Sequence, residues 1–93
     1  YHGAQVFYGQ NSLSQQLAQG MQDAFRQVLD PSNDRKIKPV PEGVYVMRKV
    51  TAPAAVAECG FLSNPQEAEK LAQDDYQTKA ALAIAGAYLR FAA

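Results

Sequence analysis

Apolar residues recur along this chain with two different periods, and the switch between them marks out its elements. Residues 3–8, GAQVFY, are β-branched and aromatic with partial alternation, which predicts a strand. Gly9, Gln10 and Asn11 turn the chain. Leu13, Leu17, Met21, Ala24, Phe25 and Val28 then return at helical spacing, so residues 12–30 predict a helix with these side chains on one face. Ser12 followed by Gln15 supplies a capping-box pattern for its start. Pro31, which lacks an amide proton and disfavours helical geometry in the residue before it, sets the end.

Residues 31–43 hold Pro31, Ser32, Asn33, Asp34, Pro39, Pro41 and Gly43 with no sustained period, and predict a loop. Its Arg35, Lys36 and Lys38 read either as a solvated basic surface or as contacts for an acidic ligand. Residues 44–50, VYVMRKV, predict a second strand and residues 54–58 a third. The third is nearly all small and apolar, as in a parallel or mixed sheet with helices on both faces. Asn64 caps the next helix, over 64–72, with Pro65 at its first position and Glu67 reaching back. The last helix opens at Asp74 or Asp75, and Tyr76, Ala80, Ile84, Ala87, Tyr88 and Phe91 line one of its faces. This order of elements predicts an α/β fold, a partial mixed sheet of about three strands covered by about three helices.

Composition narrows what such a fold can do. A length of 93 residues supports one modest core. The 47% hydrophobic content is enough apolar surface to offset chain ordering, so the chain reads as globular rather than disordered. No run reaches the length of a membrane span. Formal net charge is zero, which removes any long-range attraction for nucleic acid or anionic lipid. The single cysteine, Cys59, excludes an internal disulfide, and with one histidine, His2, the chain cannot assemble a Cys/His zinc site alone. The chain opens on Tyr1 and shows no signal-peptide pattern, so a piece of a longer polypeptide is expected.

Chemistry concentrates at Glu58, where an apolar strand stops. A carboxylate there is costly unless it is exposed, paired or used, and ligands gather at the carboxyl ends of strands in open α/β sheets. Gly60 permits a turn that leaves the side chain facing a cleft. Glu58 therefore reads either as a functional carboxylate or as an edge residue paired with Arg48 or Lys49. Cys59 reads as a structural thiol; a nucleophile there would need a base, and His2 is the one histidine on offer.

The stretch VAECGFLSNPQEAEKL, residues 56–71, resembles the signature of the type-3 N-acetylmuramoyl-L-alanine amidases, in which a strand ending in glutamate is followed by Gly-Phe-Leu-Ser-Asn. GAQVFY with Ser14, Leu17 and Ala18 resembles an earlier segment of that family, and YQTKAALAIAGAYLRF, residues 76–91, its closing helix. The resemblance implies that residues 1–93 form the C-terminal part of an amidase catalytic domain, a fragment of a larger three-layer fold. It implies a zinc ion held by two histidines and a glutamate on upstream motifs, so that zinc belongs to the parent enzyme and none is expected tightly bound here. His2 lies too close to GAQVFY to match the family's last histidine, and no metal role is carried onto it.

What carries over is Glu58, matching the family's catalytic glutamate. Zinc would polarise the amide carbonyl between N-acetylmuramic acid and L-alanine, while Glu58 moves the proton of the attacking water to the leaving amine. Arg48 and Asn64 are weaker, substrate-binding candidates, set against a strand-edge charge for Arg48 and a helix cap for Asn64. NDRKIKP, residues 33–39, looks like the spore-cortex and germination branch. The implied partner is peptidoglycan, outside the cytoplasm at the cell wall or spore cortex, with room for a protein activator. This chain alone is expected to be inactive. The competing reading is a catalytically idle domain that binds peptidoglycan or a protein partner.

Overall fold

Alternation at the start of the chain decides which way the sheet faces. The structure, a computed structural model, describes residues 3–41, 51–60 and 64–93. Strand β1 (Gln5–Tyr8) runs between β2 (Lys38–Pro39), which is parallel to it, and β3 (Ala55–Glu58), which is antiparallel, giving the sheet order β2-β1-β3. Val6 pairs with Ala57 and Tyr8 with Ala55, and with Ala4 these side chains face the helices. Gln5 pairs with Glu58 and Phe7 with Val56 on the other face, as period-two geometry requires.

Helix α1 (Ser14–Val28) lies across β1 and β3. Its Leu17, Ala18, Met21, Ala24 and Phe25 form the core with Ala4 and Val6, and Phe25 is fully buried. Burial of a phenylalanine of this kind contributes about 1.5–3 kcal/mol. Helix α3 (Asp74–Ala92) packs on α1 through Ala80, Ala83 and Ala87, whose small side chains allow close approach, and the short α2 (Pro65–Leu71) packs against α3. The mixed α/β architecture expected from the sequence is the one found, with three helices and three strands among the described residues.

Several local expectations are corrected. The capping box at Ser12 and Gln15 does not open α1; the helix begins at Ser14 and its N-cap, Leu13, makes no side-chain cap bond. Asn11 takes that role from further out, its Oδ1 accepting from the Leu13 N–H at 2.8 Å. Ser14 is buried instead, and its Oγ accepts from the Ala54 N–H at 3.0 Å, tying the helix start to the strand start. Leu13 and Val28 at the two ends of the predicted apolar face are exposed, because the sheet beneath α1 is shorter than the helix. On α3, Ala83 is buried while Tyr88 points to solvent. β3 is half-buried rather than covered on both faces among the described residues. The strand predicted over 44–50 lies outside the described residues.

The loop over 31–43 contains β2, and much of it is anchored. Because β2 has only two residues, β1 runs past it, and side chains supply the missing edge. The fully buried Gln22 accepts from the Val6 N–H through Oε1 and donates to the Ala4 carbonyl through Nε2, both at 2.9 Å. Buried Asn33 also donates to the Ala4 carbonyl, at 3.0 Å. Arg35 is half-buried and its Nη1 donates to Gln5 Oε1 at 3.1 Å, so one of the loop's basic residues is structural. Lys36 and Lys38 remain exposed. Among the described residues no buried side-chain nitrogen or oxygen lacks a hydrogen-bond partner.

Candidate functional site

The strand register places Glu58 on the sheet face turned away from α1, at the carboxyl end of β3. There it is exposed and borders an open pocket of ≈ 90 Å³ lined by Phe7, Val40, Pro41, Val56 and Glu58 itself. The pocket wall is apolar apart from the carboxylate, a setting in which one charged group can meet a polar reacting bond while the walls hold carbon. Arg48 and Lys49, the alternative ion-pair partners for Glu58, lie outside the described residues, as does His2.

Past Glu58 the chain leaves the sheet, and the helices that follow hold it. Cys59 packs against the core, and burial pushes its thiol above the ordinary range. A thiol kept protonated is the reverse of an activated nucleophile, which argues against cysteine chemistry here. The Cys59 carbonyl accepts from the Tyr76 hydroxyl at 3.2 Å. Tyr76 is itself pushed up, first by burial and then by the negative charges of Glu67, Cys59 and Asp30.

Asn64 is the cap of α2, its Oδ1 accepting from the N–H groups of Gln66 at 3.0 Å and Glu67 at 3.2 Å. Glu67 reaches further than a capping box requires, and its Oε2 accepts from the Gly3 N–H at the mouth of β1. Gly3 has φ of 88°, a left-handed conformation open to glycine, and a Cβ there would meet the Asn33 side chain at 3.2 Å. Tyr76 and the Glu67–Gly3 bond were not legible as parts of this strand end. Tyr76 sits at core-facing helical spacing, and Gly3 is separated from Glu67 by most of the chain. Among the described residues no group of three or more His, Cys, Asp or Glu is placed to hold a metal ion.

The N-acetylmuramoyl-L-alanine amidase family matches the chain over residues 1–89. The chain belongs to that family. Its sequence is 41% identical over 92 residues to the germination-specific N-acetylmuramoyl-L-alanine amidase of Bacillus subtilis, covering 98% of this chain and 38% of that amidase. Its fold is similar to the CwlD amidase of Clostridioides difficile, solved in complex with the GerS lipoprotein, with TM-score 0.91 and 35% identity over 98% of this chain and 46% of the other. An N-acetylmuramoyl-L-alanine amidase from Clostridium difficile 630 aligns with TM-score 0.88 and 29% identity, over 98% of this chain and 48% of the other. The chain thus spans less than half the length of these amidase relatives. The germination-branch resemblance of residues 33–39 agrees with the relatives found.

Proposed function

We propose that the full-length protein carrying this chain hydrolyses the amide between N-acetylmuramic acid and L-alanine of the peptidoglycan stem peptide. Residues 1–93 are then the C-terminal part of its catalytic domain, and Glu58 is the carboxylate that moves the proton. The observation that carries this reading is the exposed position of Glu58 at a strand's carboxyl end beside a pocket, in a chain of this family. An ionised carboxylate there can accept a proton from the attacking water and return it to the departing L-alanine amine, which leaves as a neutral amine.

The zinc that the family resemblance implies does not fit this chain by itself. One histidine in the sequence cannot supply a two-histidine ligand set, and no cluster of metal-binding side chains forms among the described residues. Metal ligands would come from elsewhere in the full-length protein. Arg48 remains a candidate for binding a stem-peptide carboxylate, and Asn64 for a substrate hydrogen bond beside its cap role. Action on wall or spore-cortex peptidoglycan places the protein outside the cytoplasm, where a lipoprotein partner of the kind seen with CwlD could act as activator.

Glu58→Gln in the full-length protein tests the assignment. Removal of a general acid–base group costs about 10²–10⁴-fold in turnover, read as new L-alanine amino termini released from peptidoglycan, with the thermal transition unchanged. Near-normal release by the variant overturns the role of Glu58. A wild-type protein that binds peptidoglycan and releases no amino termini overturns the enzyme reading in favour of an idle binding domain.

A further inference from the structure

We infer that Glu67 and Tyr76 are positioning residues that aim Glu58, an inference that rests on the proton-transfer role proposed above for Glu58. The ladder between β1 and β3 ends at the pair Gln5–Glu58, so the carboxylate sits on the last paired residue. Strand ends that lack further bonds open locally at little cost. Here two side chains from the following helices take over where the ladder stops.

On the β3 side, the Tyr76 hydroxyl, in the first turn of α3, donates to the carbonyl of Cys59, the residue directly after Glu58. Burial and the negative charge of Glu67 raise the Tyr76 pKa, which keeps that hydroxyl protonated and able to donate. On the β1 side, Glu67 Oε2 accepts from the Gly3 N–H, two residues before the cross-strand partner of Glu58. The other oxygen of the same carboxylate, Oε1, lies 3.3 Å from where a Cβ on Gly60 would stand. One carboxylate therefore bonds the chain entering β1 and stands close to the chain leaving β3. Its backbone is held in turn, since the Asn64 cap accepts from the Glu67 N–H at 3.2 Å.

The consequence for chemistry lies in angle rather than charge. Among the described residues the strand pairing stops at Glu58, and proton transfer tolerates little misplacement of the reacting carboxylate. With the clamp gone, Glu58 is spread over more orientations while the walls of the binding pocket, Phe7, Val40, Pro41 and Val56, are untouched. Loss of the clamp therefore lowers kcat and leaves KM in place.

The experiment measures kcat and KM of the full-length protein on soluble peptidoglycan fragments, per folded molecule, for Glu67→Ala, Glu67→Gln, Tyr76→Phe and Glu58→Gln. Glu67→Ala is expected to lower kcat ~10-fold with KM within ~2-fold, and Tyr76→Phe to lower kcat ~3-fold, both as misplacement effects. Glu67→Gln keeps an oxygen acceptor for Gly3 and is expected to restore kcat to within ~3-fold of wild type. Wild-type kcat in Glu67→Ala or in Tyr76→Phe overturns the inference, and so does a Glu67→Gln variant as slow as Glu67→Ala. Should Glu67→Ala fail to fold, Tyr76→Phe decides alone: reduced kcat at unchanged KM supports the clamp and unchanged kcat removes it. Glu58→Gln separates the two levels. If it abolishes turnover while the clamp variants stay fast, only the positioning inference falls; if it stays active, the role of Glu58 falls as well.

Discussion

The two faces of the β1–β3 pair differ in everything except their backbone. On one, Val6 is buried and Ala57 half-buried against the core that Phe25, Met21 and Leu17 of α1 build. On the other, reached by a step of one residue along each strand, Phe7 and Val56 line an open pocket and Glu58 stands at its rim. Period-two geometry lets adjacent residues serve opposite ends, one face packing on α1 and the other carrying the pocket. The face that contributes stability should therefore be costly to alter with little chemical consequence, and the pocket face the reverse.

The largest expected effect breaks the covered face. Phe25→Ala leaves a cavity under β1 and is expected to destabilise the protein by about 3–5 kcal/mol, whereas Phe7→Ala should cost less in this chain, where Phe7 is only half-buried. Chemical denaturation of the two variants side by side checks the contrast, and equal losses would mean the faces are not distinct.

Next in size is the polar edge between these faces. Gln22→Ala leaves the buried Val6 N–H without its acceptor, while the Ala4 carbonyl keeps the Asn33 donor. A loss of about 1–3 kcal/mol is expected for a stranded buried group. Faster amide exchange at Val6 is the specific readout, since a packing defect elsewhere would not select that proton.

The smallest effect is a pH dependence at the strand end. Cys59 and Tyr76 both have folded pKa values raised above their ordinary ones. Each deprotonates more readily in the unfolded chain, so their stabilising contribution is complete below the ordinary thiol range and is lost as pH rises through the folded values. The thermal midpoint should fall as pH rises past the ordinary thiol and phenol ranges, and Tyr76→Phe should flatten the upper part of that slope.

Much of this layout was legible from residue order. The 3.6-residue recurrence from Leu17 to Phe25 marked α1, Asn64-Pro65 marked α2, and the apolar run stopping at Glu58 marked both β3 and the candidate carboxylate. The start of α1 was misread because Ser12 matches a capping pattern in sequence while Asn11 has the reach to the Leu13 amide. The anchoring of the loop was not legible because Asn33 and Arg35 look like surface turn residues until β1 is laid beside them.

Local pattern by itself determined the element types, the apolar stripe of α1 and the strand-end position of Glu58, because period and capping depend on near neighbours along the chain. Only the tertiary structure decided that a glutamine on a helix would complete the edge of a strand, and that Glu67 would reach Gly3 across most of the chain. Those bonds join residues far apart in sequence, and their partners are backbone groups that every residue but proline carries, so no side-chain pattern announces them.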